Sequence, residues 1–302
     1  MKQNVLITGG TGLVGTYLTR LLLKKGFRVS HLSRSRHKHQ DIEYYLWNIG
    51  DQFIEEGAIE DADYIIHLAG ASIGEKRWTP ARKQELRDSR VLSTKLLAQR
   101  LTTASHKVKA FIAASAIGIY GDTGNQWATE ESKPGSGFLA NLCKEWESKI
   151  DLIADLGIRT VKIRSGIVLS KKGGVLEQMA LPVKLFAGTP LGNGKQYFPW
   201  IHIEDISQMF LYAIENESLV GPFNGVAPNP VTNTQFTKAL GKILCRPVWP
   251  IGVPPFVLNI ALGEMASTAL ESSRISAKKI QEAGFHFSFK TAQEALKDLF
   301  KG

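Results

Sequence analysis

Val5-Leu6-Ile7-Thr8-Gly9-Gly10-Thr11-Gly12-Leu13-Val14-Gly15 reads as a short apolar strand that runs into a glycine-rich turn and then into a helix. Gly9, Gly12 and Gly15 fit Gly-x-x-Gly-x-x-Gly, and Gly10, Gly12 and Gly15 also fit Gly-x-Gly-x-x-Gly. A tight strand-to-helix turn needs a residue without Cβ strain. A second glycine lets the backbone approach a pyrophosphate, and a third lets the helix pack on the strand with its positive end towards the phosphates. The pattern is weak alone, but here it follows a strand, opens a helix and sits in a βαβ unit of about thirty residues. Gly9, Thr11, Gly12, Leu13, Val14 and Gly15 are therefore expected to cradle a dinucleotide.

Working outward, short β-rich runs alternate with helical stretches. That is the pattern of an α/β fold, a Rossmann doubly wound parallel sheet with helices on both faces. The helix over Leu13–Lys25 places Leu18, Leu21 and Leu22 inward and stops at Gly26. Further strands are expected at Arg28–Leu32, Tyr44–Trp47, Tyr64–Leu68, Ala110–Ala114 and Arg159–Ile163, with helices over 79–103 and 137–156. After Arg164 glycine and proline become frequent, as in Gly173-Gly174, Gly188-Thr189-Pro190 and Pro228-Asn229-Pro230. This texture suggests functional loops and a smaller lobe. The expected division is a nucleotide domain over residues 1–165, with 200–226 returning to it, and a substrate lobe from 166–199 and 227–302.

Composition narrows the setting. Of 302 residues, 43% are hydrophobic and 22% charged, which is ordinary for a soluble globular protein. No apolar run reaches the roughly 18–20 residues that span a bilayer, so no membrane partner is expected. Met1-Lys2-Gln3 leads straight into the first strand, and Cys143 and Cys245 are the only cysteines. A cytoplasmic location without a leader or a disulfide framework is the expectation. The net charge is +9, yet the Lys and Arg residues are dispersed, which argues against nucleic-acid binding. The histidines and cysteines show no metal-ligand spacing, and Gly118 and Gly121 form no nucleophile elbow.

The densest basic stretch, Arg28 to His39, falls where a cofactor phosphate would sit. NAD-preferring proteins place an acid about twenty residues past the glycines to hold the ribose 2′-hydroxyl. Here no Asp or Glu occurs from Thr16 to Gln40, and the second strand ends in Ser33-Arg34-Ser35-Arg36. A carboxylate repels a 2′-phosphate, whereas arginine binds it and stacks on adenine. Ser33, Arg34 and Arg36 thus predict NADP(H) over NAD(H).

Thr8-Gly9-Gly10-Thr11-Gly12-Leu13-Val14-Gly15, His67-Leu68-Ala69-Gly70, Ser115 with Tyr120-Gly121, and Trp200-Ile201-His202-Ile203-Glu204-Asp205 together resemble the extended short-chain dehydrogenase/reductases. Ser272-Ser273-Arg274-Ile275 with Ala283-Gly284-Phe285 resembles the C-terminal segment, often named DUF1731, of their atypical "epimerase family" branch. The resemblance spans nearly the whole chain. It implies an NADP-binding, oxidoreductase-like protein acting on a small molecule, with Leu68, Ala69 and Gly70 lining the cofactor. Some relatives are described as cell-division inhibitors or chloroplast-division factors. Many relatives pair the helices after strands four and five across a homodimer.

One expected feature is missing. None of the seven tyrosines has a lysine four positions later; Tyr120 is followed there by Gly124 and Tyr197 by Ile201. Aligned with the family's active-site helix, Leu139 stands where the tyrosine would be and Cys143 where the lysine would be. Lys144, one residue on, is rotated by about 100° and points elsewhere. The resemblance puts Ser115 at the carbonyl-orienting serine. Tyr120, Cys143 and His202 are the remaining candidates for proton chemistry. Arg164 is expected at the phosphates, at an anionic substrate or in a structural ion pair. Trp127 and Trp200 are candidates for an apolar cleft or for the core. Two readings follow: an NADP(H)-dependent oxidoreductase or epimerase-like enzyme with a non-standard proton donor, and a non-catalytic NADP(H)-binding regulator linked to cell division.

Overall fold

The computed structural model describes residues 2–301. Its central sheet has eight strands: β1 (Asn4–Thr8), β2 (Arg28–Ser33), β3 (Ile42–Asn48), β4 (Phe53–Ile54), β5 (Tyr64–His67), β6 (Ala110–Ala116), β7 (Arg159–Ser165) and β8 (Gly221–Gly225). They lie in the order β8-β7-β6-β5-β1-β2-β3-β4. Every pairing is parallel except the antiparallel β3–β4 contact at the edge. All residues of β1 and β5 are buried, as strands covered on both faces must be. The chain leaves β1 towards β2 on one side and returns to β5 on the other. The crevice at the carboxyl ends of β1 and β5 is therefore the topological switch point, where sheets of this kind bind ligands.

The helices of eight residues or more are α1 (Leu13–Lys24), α2 (Pro80–Thr103), α3 (Phe138–Ala154), α4 (Val175–Lys184), α5 (Ile203–Glu215), α6 (Asn233–Leu244), α7 (Pro255–Leu262) and α8 (Ala292–Lys301). Strand alternation decides which layer each covers. Val5 and Ile7 face α1 and α5, packing with Leu18, Leu22, Ile206 and Phe210. Leu6 faces the opposite layer of α2 and α3, with Leu97, Leu101, Ile150 and Ile153. Gly26, at φ +89°, ends α1 as expected, and the Phe27 amide returns to the Leu22 carbonyl.

The smaller lobe has its own core of Leu176, Val183, Trp200, Phe236, Leu240, Leu296 and Leu299. Ile275, Ala277, Ile280, Phe285 and Phe287 pack in the same core as β1, β7 and α5. The reason is a set of specific ties. Arg274–Ile275 pairs in parallel with Trp127–Ala128. The Asp205 carboxylate accepts from the Ser288 and Phe289 amides at 2.7 and 3.1 Å. Tyr212 donates its hydroxyl to the Ala283 carbonyl at 2.6 Å. The helix α4 was unanticipated. It begins directly after Gly173-Gly174 and carries Pro182 close to its end, so local signals hide it.

Candidate functional site

The glycine-rich turn closes against the end of β5. Gly9 has φ +70°, and a Cβ there would come within 2.9 Å of the Ala69 amide nitrogen. A Cβ on Gly15 would lie 2.3 Å from the Gly9 carbonyl oxygen, so α1 and the turn touch backbone to backbone. Gly12 caps α1 with no side-chain bond and no acid stands in the first turn, which leaves the helix's first amides to an anion. Leu13 and Val14 pack partly into the core beneath. Gly174 comes down on Leu13, where a Cβ would meet its Cδ2 at 3.5 Å. A dinucleotide pyrophosphate fits these residues: bare backbone, a helix end and no carboxylate.

A buried polar chain holds the crevice in shape. The Thr8 hydroxyl oxygen accepts from the Leu68 and Ala69 amides, both at 3.2 Å, and lies 2.7 Å from His67 Nδ1. His67 Nε2 lies 3.0 Å from the Thr94 hydroxyl, which donates to the Arg90 carbonyl and accepts from Trp146 Nε1. These partners assign the proton to Nε2 and make Nδ1 the acceptor. Burial, with the nearby Arg90 charge, pushes the His67 pKa down to about 3, so the ring is neutral.

At the end of β2 the two arginines differ. Arg36 reaches the Glu55 carboxylate and the Tyr44 carbonyl. Arg34 is exposed and, among the described residues, makes no ion pair or hydrogen bond. Its charge lies within electrostatic reach of Glu85 on α2. Ser33 is partly buried and accepts the Ser35 amide at 3.5 Å.

Ser115 and Tyr120 occupy a closed network. Ser115, Arg164 and Asn224 stand side by side on β6, β7 and β8, in direct register. The Ser115 hydroxyl donates to Glu147 Oε1 at 2.6 Å. Arg164 donates from Nε to Oε1 and from Nη2 to Oε2 of Glu147, and from Nη1 to the Tyr120 hydroxyl, each at 2.8 Å. Tyr120 donates to Asn224 Oδ1 at 2.7 Å, and the Asn224 amide donates to Glu130 at 2.7 Å. Tyr120 and Ser115 are each only 3% exposed. Burial, only partly offset by Arg164, pushes the Tyr120 pKa up to about 12. Burial raises the Glu147 carboxyl too, but Arg164, Ser115 and Lys162 outweigh it and hold the group ionised. Of the roles open to Arg164, the geometry gives it the ion pair.

The surface that faces the positions of the absent pair is apolar. A Cβ on Gly118 would meet Leu139 at 3.2 Å and Cys143 Sγ at 3.9 Å, so α3 packs directly on the segment after β6. Burial and the Glu147 charge push the Cys143 thiol up to about 12. It is a small buried hydrophobe at neutral pH. His202 accepts the Glu204 amide on Nδ1 and caps α5, its ring 3.9 Å from that of Phe289. Trp200 belongs to the small-lobe core, while Trp127 is half-exposed with the Arg274 guanidinium 4.2 Å from its ring.

Sequence reasoning missed Glu147, Glu130, Asn224, His67 and Arg90. One signal was available. Lys162 and Arg164 alternate on one face of a buried strand, which demands an acid opposite, and Glu147 lies one helical turn beyond Cys143.

Residues 5–224 match the model of the NAD dependent epimerase/dehydratase family, and residues 253–299 match a domain of unknown function, DUF1731. The chain belongs to the NAD-dependent epimerase/dehydratase family. Epimerase family protein YfhF of Bacillus subtilis is 38% identical over 300 residues, covering 98% of each chain. The chloroplastic SDR39U1 homolog of Arabidopsis thaliana is 33% identical, covering 99% of this chain and 87% of its own. The crystal structure of human epimerase family protein SDR39U1 with NADPH superposes with a TM-score of 0.90 at 31% identity, covering 99% of this chain and 100% of that one. The family's Rossmann sheet and the DUF1731 segment are thus both present. The cytoplasm was the expected compartment; that the plant relative is named chloroplastic shows that members of the family are not confined to it. Among the described residues, no helix is long and apolar enough to cross a membrane.

Proposed function

We propose that this protein binds NADP(H) in preference to NAD(H) and exchanges hydride with a small-molecule acceptor without a tyrosine-type proton donor. The glycine turn and the α1 N-terminus hold the pyrophosphate, and Arg34 takes the 2′-phosphate. The nicotinamide supplies the hydride chemistry when the cofactor is bound. Leu139 and Cys143 stand where the tyrosine and lysine would be and move no proton. The reading therefore favours acceptors whose product anion is protonated by solvent. It disfavours sugar epimerisation, which needs a base to take a hydroxyl proton.

The observation that carries the cofactor choice is Arg34, an exposed cation at the end of β2 with no acid from Thr16 to Gln40. The test is a parallel titration with NADPH and NADH, followed by nicotinamide fluorescence. Selective NADPH binding supports the reading, and equal affinities sink it. A second reading, a nucleotide-binding regulator without turnover, is favoured by the closed hydroxyls of Ser115 and Tyr120. Transfer of deuterium from labelled NADPH to any carbonyl or quinone acceptor separates the two.

A further inference from the structure

Residues 178–203 and 218–263 contain no aspartate or glutamate, yet they carry Lys184, Lys195, Lys238, Lys242 and Arg246. All five cations are exposed, and none meets a carboxylate among the described residues. Lys238 and Lys242 stand four residues apart on α6 and so share a face, and Arg246 follows just past the helix end. The helix α4 packs beside α6 and ends at Lys184.

Next to these charges the small lobe exposes large apolar side chains. Leu181 and Leu185 are four residues apart on α4 and its C-cap, and Phe186 follows. The Trp249 amide donates to the Gly188 carbonyl, and its indole Nε1 to the Phe186 carbonyl, both at 2.8 Å. The Thr189 hydroxyl donates to the Ile251 carbonyl, which joins residues 186–189 and 249–251 into one strip. The Arg246 guanidinium lies 4.6 Å from the centre of the Phe186 ring. Ile251 is 81% exposed, and Leu181, Leu185, Phe186 and Trp249 are each more than half exposed. Phe186 also holds a φ of +63°, which bulky residues rarely adopt, and it does so with its ring mostly in water.

Folded monomers seldom leave so many neighbouring apolar side chains uncovered. The surrounding charge identifies the cover. A second copy seated on the same face would set like charges against one another. An anionic bilayer offers phosphates to the cations and an acyl layer to the apolar strip, and that layer closes around protruding side chains without a shaped pocket. The Trp249 N–H is already bonded inside the protein, so its ring enters such a layer without leaving a donor unpaired.

We propose that this face of the small lobe docks on an anionic lipid surface. Trp249 and Ile251 enter the boundary between headgroups and acyl chains, and Lys242 and Arg246 meet lipid phosphates. Such a contact lies in the plane of the interface and needs no spanning run. None of the residues assigned to the nucleotide belongs to it.

The test is flotation with vesicles of pure phosphatidylcholine and with vesicles that also contain phosphatidylglycerol. The wild type should float with the anionic vesicles alone, and less so as salt is raised. Ile251→Asp and the double variant Lys242→Glu/Arg246→Glu should each cut that binding about tenfold or more, one by removing the apolar anchor and the other by reversing charge. Phe53→Ala, an exposed apolar position on β4, should float as the wild type does. Urea midpoints at the wild-type value show that each variant is folded. A wild type that stays off anionic vesicles overturns the inference, as does equal binding to both kinds of vesicle. Full binding by Ile251→Asp also overturns it, because charge alone then holds the protein. Self-association of the wild type in sedimentation, abolished by Ile251→Asp, assigns the face to a second copy and overturns it as well.

Discussion

Arg164 grips Glu147 through two parallel hydrogen bonds, Nε to Oε1 and Nη2 to Oε2, both at 2.8 Å. The pair fastens β7 to α3 in a site where both side chains are nearly dry. Removing one partner strands the other's charge. Glu147→Gln and Arg164→Met should each cost about 3–5 kcal/mol. The double variant Arg164→Met/Glu147→Met should be closer to wild type than either single. Urea unfolding measures all three, and single-variant losses under about 1 kcal/mol would show that water reaches the pair.

Tyr120 is the spacer between that pair and β8. Its hydroxyl accepts from Arg164 and donates to Asn224, so Tyr120→Phe leaves two buried groups short of a partner. The expected outcome is a stability loss of about 1–3 kcal/mol with NADPH affinity unchanged. Hydride transfer that vanishes while stability stays at the wild-type value would instead make Tyr120 the proton donor.

Cofactor choice is predicted to lie in one of two neighbouring arginines. Arg34→Asp should weaken NADPH about tenfold or more relative to NADH, because a charge-assisted bond is replaced by repulsion. Arg36→Asp should have a smaller effect, since Arg36 is held by Glu55. The ratio of the two dissociation constants is the readout, and a larger change for Arg36 contradicts the assignment.

Mild acid should destabilise the fold through its buried histidines. The folded pKa values of His67 and His31 are pushed from 6.5 to about 3 and about 4, chiefly by burial. Below pH 6.5 the unfolded chain takes protons that the folded chain refuses. This stabilisation is complete above that pH and fades as pH falls towards the folded values. At pH 5 each ring should subtract about 2 kcal/mol relative to pH 8. Asp205, raised to about 6 by burial, acts in the opposite sense over part of that range. Denaturant midpoints at pH 8 and pH 5 decide the matter, and an unchanged midpoint would mean that the two rings are solvated.

The parallel sheet and its order of elements were legible because periodicity and glycine punctuation are local signals. The strand of Phe53–Ile54 was not, since two residues carry no period. At the site, the phosphate turn was legible for the same local reason. The fates of Ser115 and Tyr120 were not, because Glu147 and Asn224 reach them from elements far along the chain. A serine at a strand end reads alike whether its hydroxyl faces a crevice or a buried acid. The ties of residues 275 to 287 run to α5 and β8, elements far enough back in the chain that no local signal carries them.

Those late ties set a schedule for synthesis. While residues before 270 have emerged from the ribosome, β8 still lacks the Ser276 carbonyl that Asn224 donates to, and α5 still lacks the amides that Asp205 accepts. A nascent Rossmann sheet must wait with an open flank until translation is nearly finished. Chains that stall short of that point would leave the Asp205 carboxylate and the Asn224 side chain without these partners.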